Sequence, residues 1–182
     1  WFLCCVAALR HNGFRKPVSM LVHTSAVQNH HAAVEESLRA FLLACGKNLP
    51  SFLRRCRKVW ESRTSDLDPD SFQERFPSDG RLGELEDYPS FDEFSNGLSV
   101  LVSTITAIQL DGEYERAYHE GLHVCVDNCA NNGITDENEV RRLFYPDPEH
   151  SRVPDTATAF IVIGGGTLSR GLTIENLVDR KS

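Results

Sequence analysis

The sequence predicts an α/β fold, a mostly parallel sheet with helices against its faces. Three observations predict it. Short apolar runs recur at residues 19–22, 122–126 and 159–163, too far apart to be joined as hairpins. Stretches with a helical three- and four-residue period lie between them, and parallel strands need such crossovers. The last run, Ala159, Phe160, Ile161, Val162 and Ile163, is apolar without alternation, the pattern of a strand buried on both faces. Right-handed crossovers then put the carboxyl ends of all three strands on one rim.

Taken in order, residues 2–10 read as a buried helix that stops near Asn12-Gly13. They lack the basic start and small-residue cleavage site of a secretory leader. Ser19, Met20, Leu21 and Val22 form the first strand, which ends in His23, Thr24 and Ser25. Hydroxyls and backbone amides at such an end suit a phosphate, although Ser25 also reads as an ordinary helix cap. Residues 29–46 read as a helix with Val34, Leu38, Phe41, Leu42 and Cys45 as its apolar stripe and Gly46 as its terminator. His30 and His31 are neighbours on that helix, so they point apart and are expected to face solvent rather than hold a metal.

Residues 50–76 continue helically, with a break at Asp66-Leu67-Asp68-Pro69. Phe52, Leu53, Cys56, Val59 and Trp60 share one side, and Arg54, Arg55, Arg57, Lys58 and Arg63 form a basic cluster. Such a cluster can follow a phosphate backbone, but a solvated helix face is the plainer reading, and no aromatic ladder interleaves it. Residues 77–89 are acidic and rich in Gly and Pro, as in a linker. Ser90 caps a helix that runs to about Thr106, with Asp92 and Glu93 in its first turn. Residues 104–110 fit helix or strand equally. The helical and acidic stretch at about 48–112 exceeds one crossover and is expected to be an insertion in a single domain.

Residues 113–120 read as a short helix, followed by a strand at 122–126 that ends in Asp127-Asn128. His119-Glu120-Gly121-Leu122-His123 matches H-E-x-x-H, in which two histidines on one helical turn bind zinc and the glutamate activates water. That chemistry needs a continuous helix through His123. Gly121 and the β-branched run after it predict a change from helix to strand instead, so a zinc hydrolase is the lesser reading. Residues 136–145 read as a charged helix with Glu137–Arg141 and Glu139–Arg142 pairs on a solvated face. Residues 151–155 lead into the last apolar run.

That run leaves through Gly164, Gly165 and Gly166, then Thr167, Ser169, Arg170 and Gly171. Glycines admit a close backbone approach, and open α/β sheets hold ligands beyond the carboxyl ends of their strands. The string Ser169-Arg170-Gly171-Leu172-Thr173 resembles the fifth motif of superfamily-two helicases. More narrowly, GGGTLSRGLTIENL resembles the signature of the Z1 domain family, and SMLVHTS resembles the first strand and loop of the same lobe. The resemblance rests on roughly twenty residues at the glycines and about ten around Met20. It departs from the family pattern at Gly166, where a polar residue is more usual, and at Asn176, where glycine is. Thr173 stands where many helicases carry aspartate, so contacts that depend on that aspartate do not carry over.

The resemblance implies the second RecA-like lobe of a P-loop helicase-like protein, in a family described as candidate endonucleases. It implies work on DNA with ATP and Mg²⁺ in the full-length protein, with His23, Thr24, Ser25, Gly164, Gly165, Gly166, Thr167, Ser169, Arg170 and Gly171 facing nucleotide or nucleic acid. It also implies a separate P-loop lobe in the same protein, while the six cysteines, with no C-x-x-C pair, read as the reduced thiols of a cytoplasmic protein. The sequence has no G-x-x-x-x-G-K-S/T string, so the 182 residues are expected to be a fragment that binds no cofactor alone. A non-catalytic α/β interaction module is the third reading.

Composition sets bounds. The net charge is −7, so the chain as a whole is no basic nucleic-acid coat and any such contact is local. Six cysteines, Cys4, Cys5, Cys45, Cys56, Cys125 and Cys129, form no C-x-x-C pair and read as reduced, mostly buried thiols. No apolar run is long enough to span a membrane.

Overall fold

A computed structural model of the chain describes residues 1–24, 28–76, 87–112, 115–127, 138–147, 151–165 and 177–181. The chain runs α1 (Phe2–His11), β1 (Val18–His23), α2 (Gln28–Lys47), α3 (Leu49–Asp66), α4 (Pro69–Arg75) and α5 (Phe91–Leu101). It continues with β2 (Ile105–Thr106), β3 (Ile108–Leu110), β4 (Arg116–Ala117), β5 (Leu122–Asp127), β6 (Glu139–Val140), β7 (Ser151–Arg152), β8 (Ala159–Gly164) and β9 (Leu177–Lys181).

The expected α/β class holds. A five-stranded sheet has the order β2-β5-β8-β1-β9, and all of its pairings are parallel. The three predicted strands are its centre, and β5 and β8 are buried at every position, as strands covered on both faces must be. One face carries the helices. Val124, Val126, Ile161 and Ile163 point there, against Val6 of α1, Leu42 of α2, Phe52 and Trp60 of α3, and Leu98 and Leu101 of α5. The helices α3 and α5, from the stretch expected to be an insertion, thus help to build the main core. Alternation sends Leu21, Cys125, Phe160 and Val162 to the other face. There they meet Ile108, Tyr118, Val140 and Leu143 from a second sheet of order β6-β3-β4-β7. That sheet leaves little signature in the sequence, because its strands are only two or three residues long.

Local chemistry explains the helix limits. Glu93 accepts hydrogen bonds from the backbone N–H and hydroxyl of Ser90, so α5 starts where expected. It ends at Leu101 rather than near Thr106, because the chain turns there to supply β2 and β3. Two predicted helices are absent. Within 113–120 the described residues form β4 at Arg116–Ala117, and within 136–145 they form β6 at Glu139–Val140. Both pair with β3, and tertiary pairing there outweighs weak helical propensity. Phe41, assigned to the buried stripe of α2, is 54% exposed, and His31, expected in solvent, is 2% exposed. The buried face of α2 is His31, Glu35, Leu42 and Cys45, with a polar end and an apolar end.

Cys4, Cys45, Cys56 and Cys125 are buried free thiols and Cys5 is half-buried, as expected, while Cys129 lies outside the described residues. No described helix is long and apolar enough to cross a membrane. The expected linker at 77–89 lies mostly outside the described residues.

Candidate functional site

The central strands end level with one another. His23 of β1 is in register with Gly164 of β8, and Gly164 with Asp127 of β5. Beyond the strands, the Thr24 N–H donates to the Gly164 carbonyl at 2.9 Å, so the two chain exits leave side by side. They lead to opposite edges of the sheet. The chain from β1 travels through α2 toward β2 at one edge, whereas the chain from β8 returns as β9 on the far side of β1. Neighbouring parallel strands whose connections run in opposite directions form a switch point, the place where open α/β sheets take ligands. The β1–β8 pair is that switch point here.

Of the residues singled out in the sequence, His23, Thr24, Gly164 and Gly165 lie at this point. His23 and Thr24 are half-buried, and Gly164 and Gly165 are buried. Ser25, Gly166, Thr167, Ser169, Arg170 and Gly171 lie outside the described residues, in the two connections that leave it. Four residues separate β1 from the helix α2, so its amino end, with its partial positive charge, lies on the same side, and its first turn has no acidic residue. Hydroxyls at a strand end and the amino end of a helix are groups that can receive an anion. Among the described residues no three His, Cys, Asp or Glu side chains are grouped to hold a metal ion.

The third strand end carries residues that sequence reasoning passed over. Asp127 is 4% exposed and its Oδ2 lies 3.5 Å from Nε of Arg142. The short β2 pairs only with Leu122 and His123, leaving the edge of β5 open toward its carboxyl end. Arg39 closes it by donating to the carbonyls of Val124, at 3.5 Å, and of Ile105, at 3.1 Å. The Arg141 carbonyl accepts from the Val126 N–H at 2.8 Å. Glu35 joins the two arginines, pairing with Arg39 at 3.0 Å and with the guanidinium of Arg141. The Arg141 and Arg142 pairs are therefore tertiary, unlike the intrahelical pairs expected, and Glu139 instead accepts from Nε2 of Gln109 at 3.1 Å. A signal was present, since Glu35 falls on the buried stripe of α2.

The H-E-x-x-H match lies at the opposite end of the sheet. His119 precedes β5 and His123 is its second residue, so the strand begins directly after Gly121 as predicted and no helical turn joins the histidines, although the described residues before Gly121 form β4 rather than the expected helix. Their rings stack with centroids 4.0 Å apart. All four ring nitrogens have hydrogen-bond partners. Nδ1 of His123 donates to the Ala159 carbonyl at 3.2 Å, and its Nε2 accepts from the His119 N–H at 3.3 Å. Nδ1 of His119 accepts from the Gly121 N–H at 3.0 Å, and its Nε2 meets the Thr106 hydroxyl at 2.8 Å. Burial pushes His123 down to about 3, with His119 adding to the effect, and burial lowers His119 too. Both rings are neutral structural groups without a lone pair left for zinc. Glu120 offers its carbonyl to Arg10 at 2.6 Å, part of the same structural seam.

The predicted basic cluster is a helix face. Arg54, Arg55, Lys58 and Arg63 are exposed, and Arg57 is tied to Asp92 and covers the Phe91 ring at 4.7 Å.

No curated protein and no solved structure matches the chain. The family model of the Z1 domain matches residues 1–179, nearly the whole sequence, and the chain belongs to the Z1 domain family.

Proposed function

We propose that this chain is the second RecA-like lobe of a helicase-like enzyme that works on DNA with ATP, in a family of candidate endonucleases. The observation that carries the reading is the meeting of two sequence motifs at one switch point. SMLVHTS supplies β1 and its exit, the glycine string supplies the exit of β8, and the register sets His23 beside Gly164. In this reading His23, Thr24 and Ser25 face the phosphates from one side. Gly164, Gly165 and Gly166 admit the ligand close to the backbone, and Thr167, Ser169, Arg170 and Gly171 complete the contact. A P-loop lobe elsewhere in the same protein cradles the nucleotide, since this chain has no such loop of its own. The parallel sheet, the α2 amino end and the Z1 family match all support the reading.

Arg170 provides the test. Its planar, permanently charged fork suits phosphate oxygens. In the full-length protein, Arg170→Ala is expected to leave unfolding free energy within about 0.5 kcal/mol of wild type. Nucleic-acid-stimulated ATP hydrolysis or nucleic-acid binding is expected to fall at least about tenfold, equivalent to about 1.4 kcal/mol. Earlier thermal unfolding with unchanged activity per folded molecule would instead make Arg170 a structural residue paired with an acid such as Glu175.

A further inference from the structure

We propose that Arg142 is a second phosphate-binding arginine of the rim, oriented by Asp127, a role that rests on the ligand site read above. Its backbone position is set from both sides. On one side the Arg141 carbonyl takes the Val126 N–H at 2.8 Å, and the Arg141 guanidinium is paired with the buried carboxylate of Glu35. On the other, Leu143 is 6% exposed in the second core, and the Phe144 carbonyl accepts from the Tyr118 hydroxyl at 3.1 Å. Residue 142 is thus held between anchored neighbours, while its own side chain is 54% exposed.

The guanidinium approaches Asp127 through Nε, its inner nitrogen, 3.5 Å from Oδ2, a charge contact rather than a hydrogen bond. Among the described residues the two terminal nitrogens have no hydrogen-bond partner, and they form the fork that matches a phosphate. An exposed pair at this distance adds little to stability, so the fold has small need of it. Its location gives it another use. Asp127 ends β5 level with Gly164, one strand from the switch point, on a chain whose net charge is −7. Phosphate on such a chain needs local cations, and Arg142 supplies one at a fixed place. The ligand chemistry is the phosphate oxygen, carried by a nucleotide or by a nucleic-acid backbone.

The test compares Arg142→Ala, Arg142→Lys and Arg170→Ala in the full-length protein. Two probes are titrated, ATP and a labelled single-stranded oligodeoxynucleotide, the latter over a range of salt. Arg142→Ala is expected to weaken one probe at least about tenfold without shifting the unfolding midpoint. Arg142→Lys is expected to recover only part of the loss, because it restores the charge but not the fork. Loss confined to ATP identifies nucleotide phosphate. Loss confined to DNA, with the salt dependence shallower by about 0.7 for the missing contact, identifies the nucleic-acid backbone. Unchanged binding of both probes by Arg142→Ala, beside weakened binding by Arg170→Ala, would overturn the role of Arg142 and leave the rim reading intact. A lowered unfolding midpoint with normal binding per folded molecule would also overturn it, in favour of a structural role. Wild-type protein that binds neither probe would overturn both.

Discussion

The two rims of the five-stranded sheet use similar residues to opposite ends. At the amino rim, histidines, an arginine and a glycine are consumed by the backbone around them. Arg10 donates to the Ala157 carbonyl at 2.8 and 2.5 Å and to the Glu120 carbonyl at 2.6 Å, bolting α1 to the starts of β5 and β8. Burial pulls Arg10 down to about 10, which leaves it charged at neutral pH, with Glu120 acting in the other direction. His119 and His123 spend all four ring nitrogens in the same seam. At the carboxyl rim, His23 and Thr24 are half-buried and Arg142 is exposed, while the exit of β1 carries the hydroxyl residues Thr24 and Ser25 and the exit of β8 carries Gly164, Gly165 and Gly166. A chemical motif therefore has meaning only with its position on the sheet. H-E-x-x-H falls where strands begin, which in an open α/β sheet is a place for stability.

The comparison can be broken most severely at Gly121. A β-carbon there would stand 2.0 Å from the Thr104 carbonyl oxygen, which is backbone and cannot swing away. That carbonyl also accepts from the Leu122 N–H at 2.9 Å, so a shift opens the β2–β5 junction. Gly121→Ala is expected to cost about 3 kcal/mol or more in a urea unfolding titration, at the upper end for added core volume. A cost below about 1 kcal/mol would show that the amino rim is not tightly packed.

A smaller effect sharpens the same point through pH. The folded value of His123 is about 3 against an ordinary 6.5, so its contribution to stability is fully present above about pH 6.5. It is lost progressively as pH falls from there toward about 3, by up to about 1.4 kcal/mol per pH unit, because the unfolded chain binds the proton first. His123→Asn is expected to be less stable at neutral pH, yet to lose stability less steeply than wild type between about pH 6.5 and 5. Equal slopes for the two proteins would mean that His123 is not held neutral in the fold.

How much was legible in the sequence follows from these rims. Strands β5 and β8 were readable because burial at every position demands mainly apolar runs, β1 because of its own short apolar run, and their common rim followed from crossover handedness. Gly121 marked a boundary in the sequence as a helix stop, and the structure adds a further reason, the close approach of Thr104. The second sheet was missed because two-residue strands leave no periodic signal, and the charged residues of 138–145 imitated a helical face. Asp127 was noticed only as a polar strand end, since its partner Arg142 is brought to it by tertiary structure. His31 and Glu35 occupied the stripe of α2 in plain view, but polar residues at stripe positions do not raise an apolar moment.

The central claim is that ligand binds at the carboxyl rim, beside β1 and β8, and leaves the amino rim alone. Hydrogen–deuterium exchange of the full-length protein, with and without ATP and a single-stranded oligodeoxynucleotide, tests it most directly. Peptides covering residues 18–31 and 159–176 are expected to exchange more slowly when ligand is added, while peptides covering 116–124 stay unchanged. Protection at 116–124 with no change at the two rim segments would contradict the account.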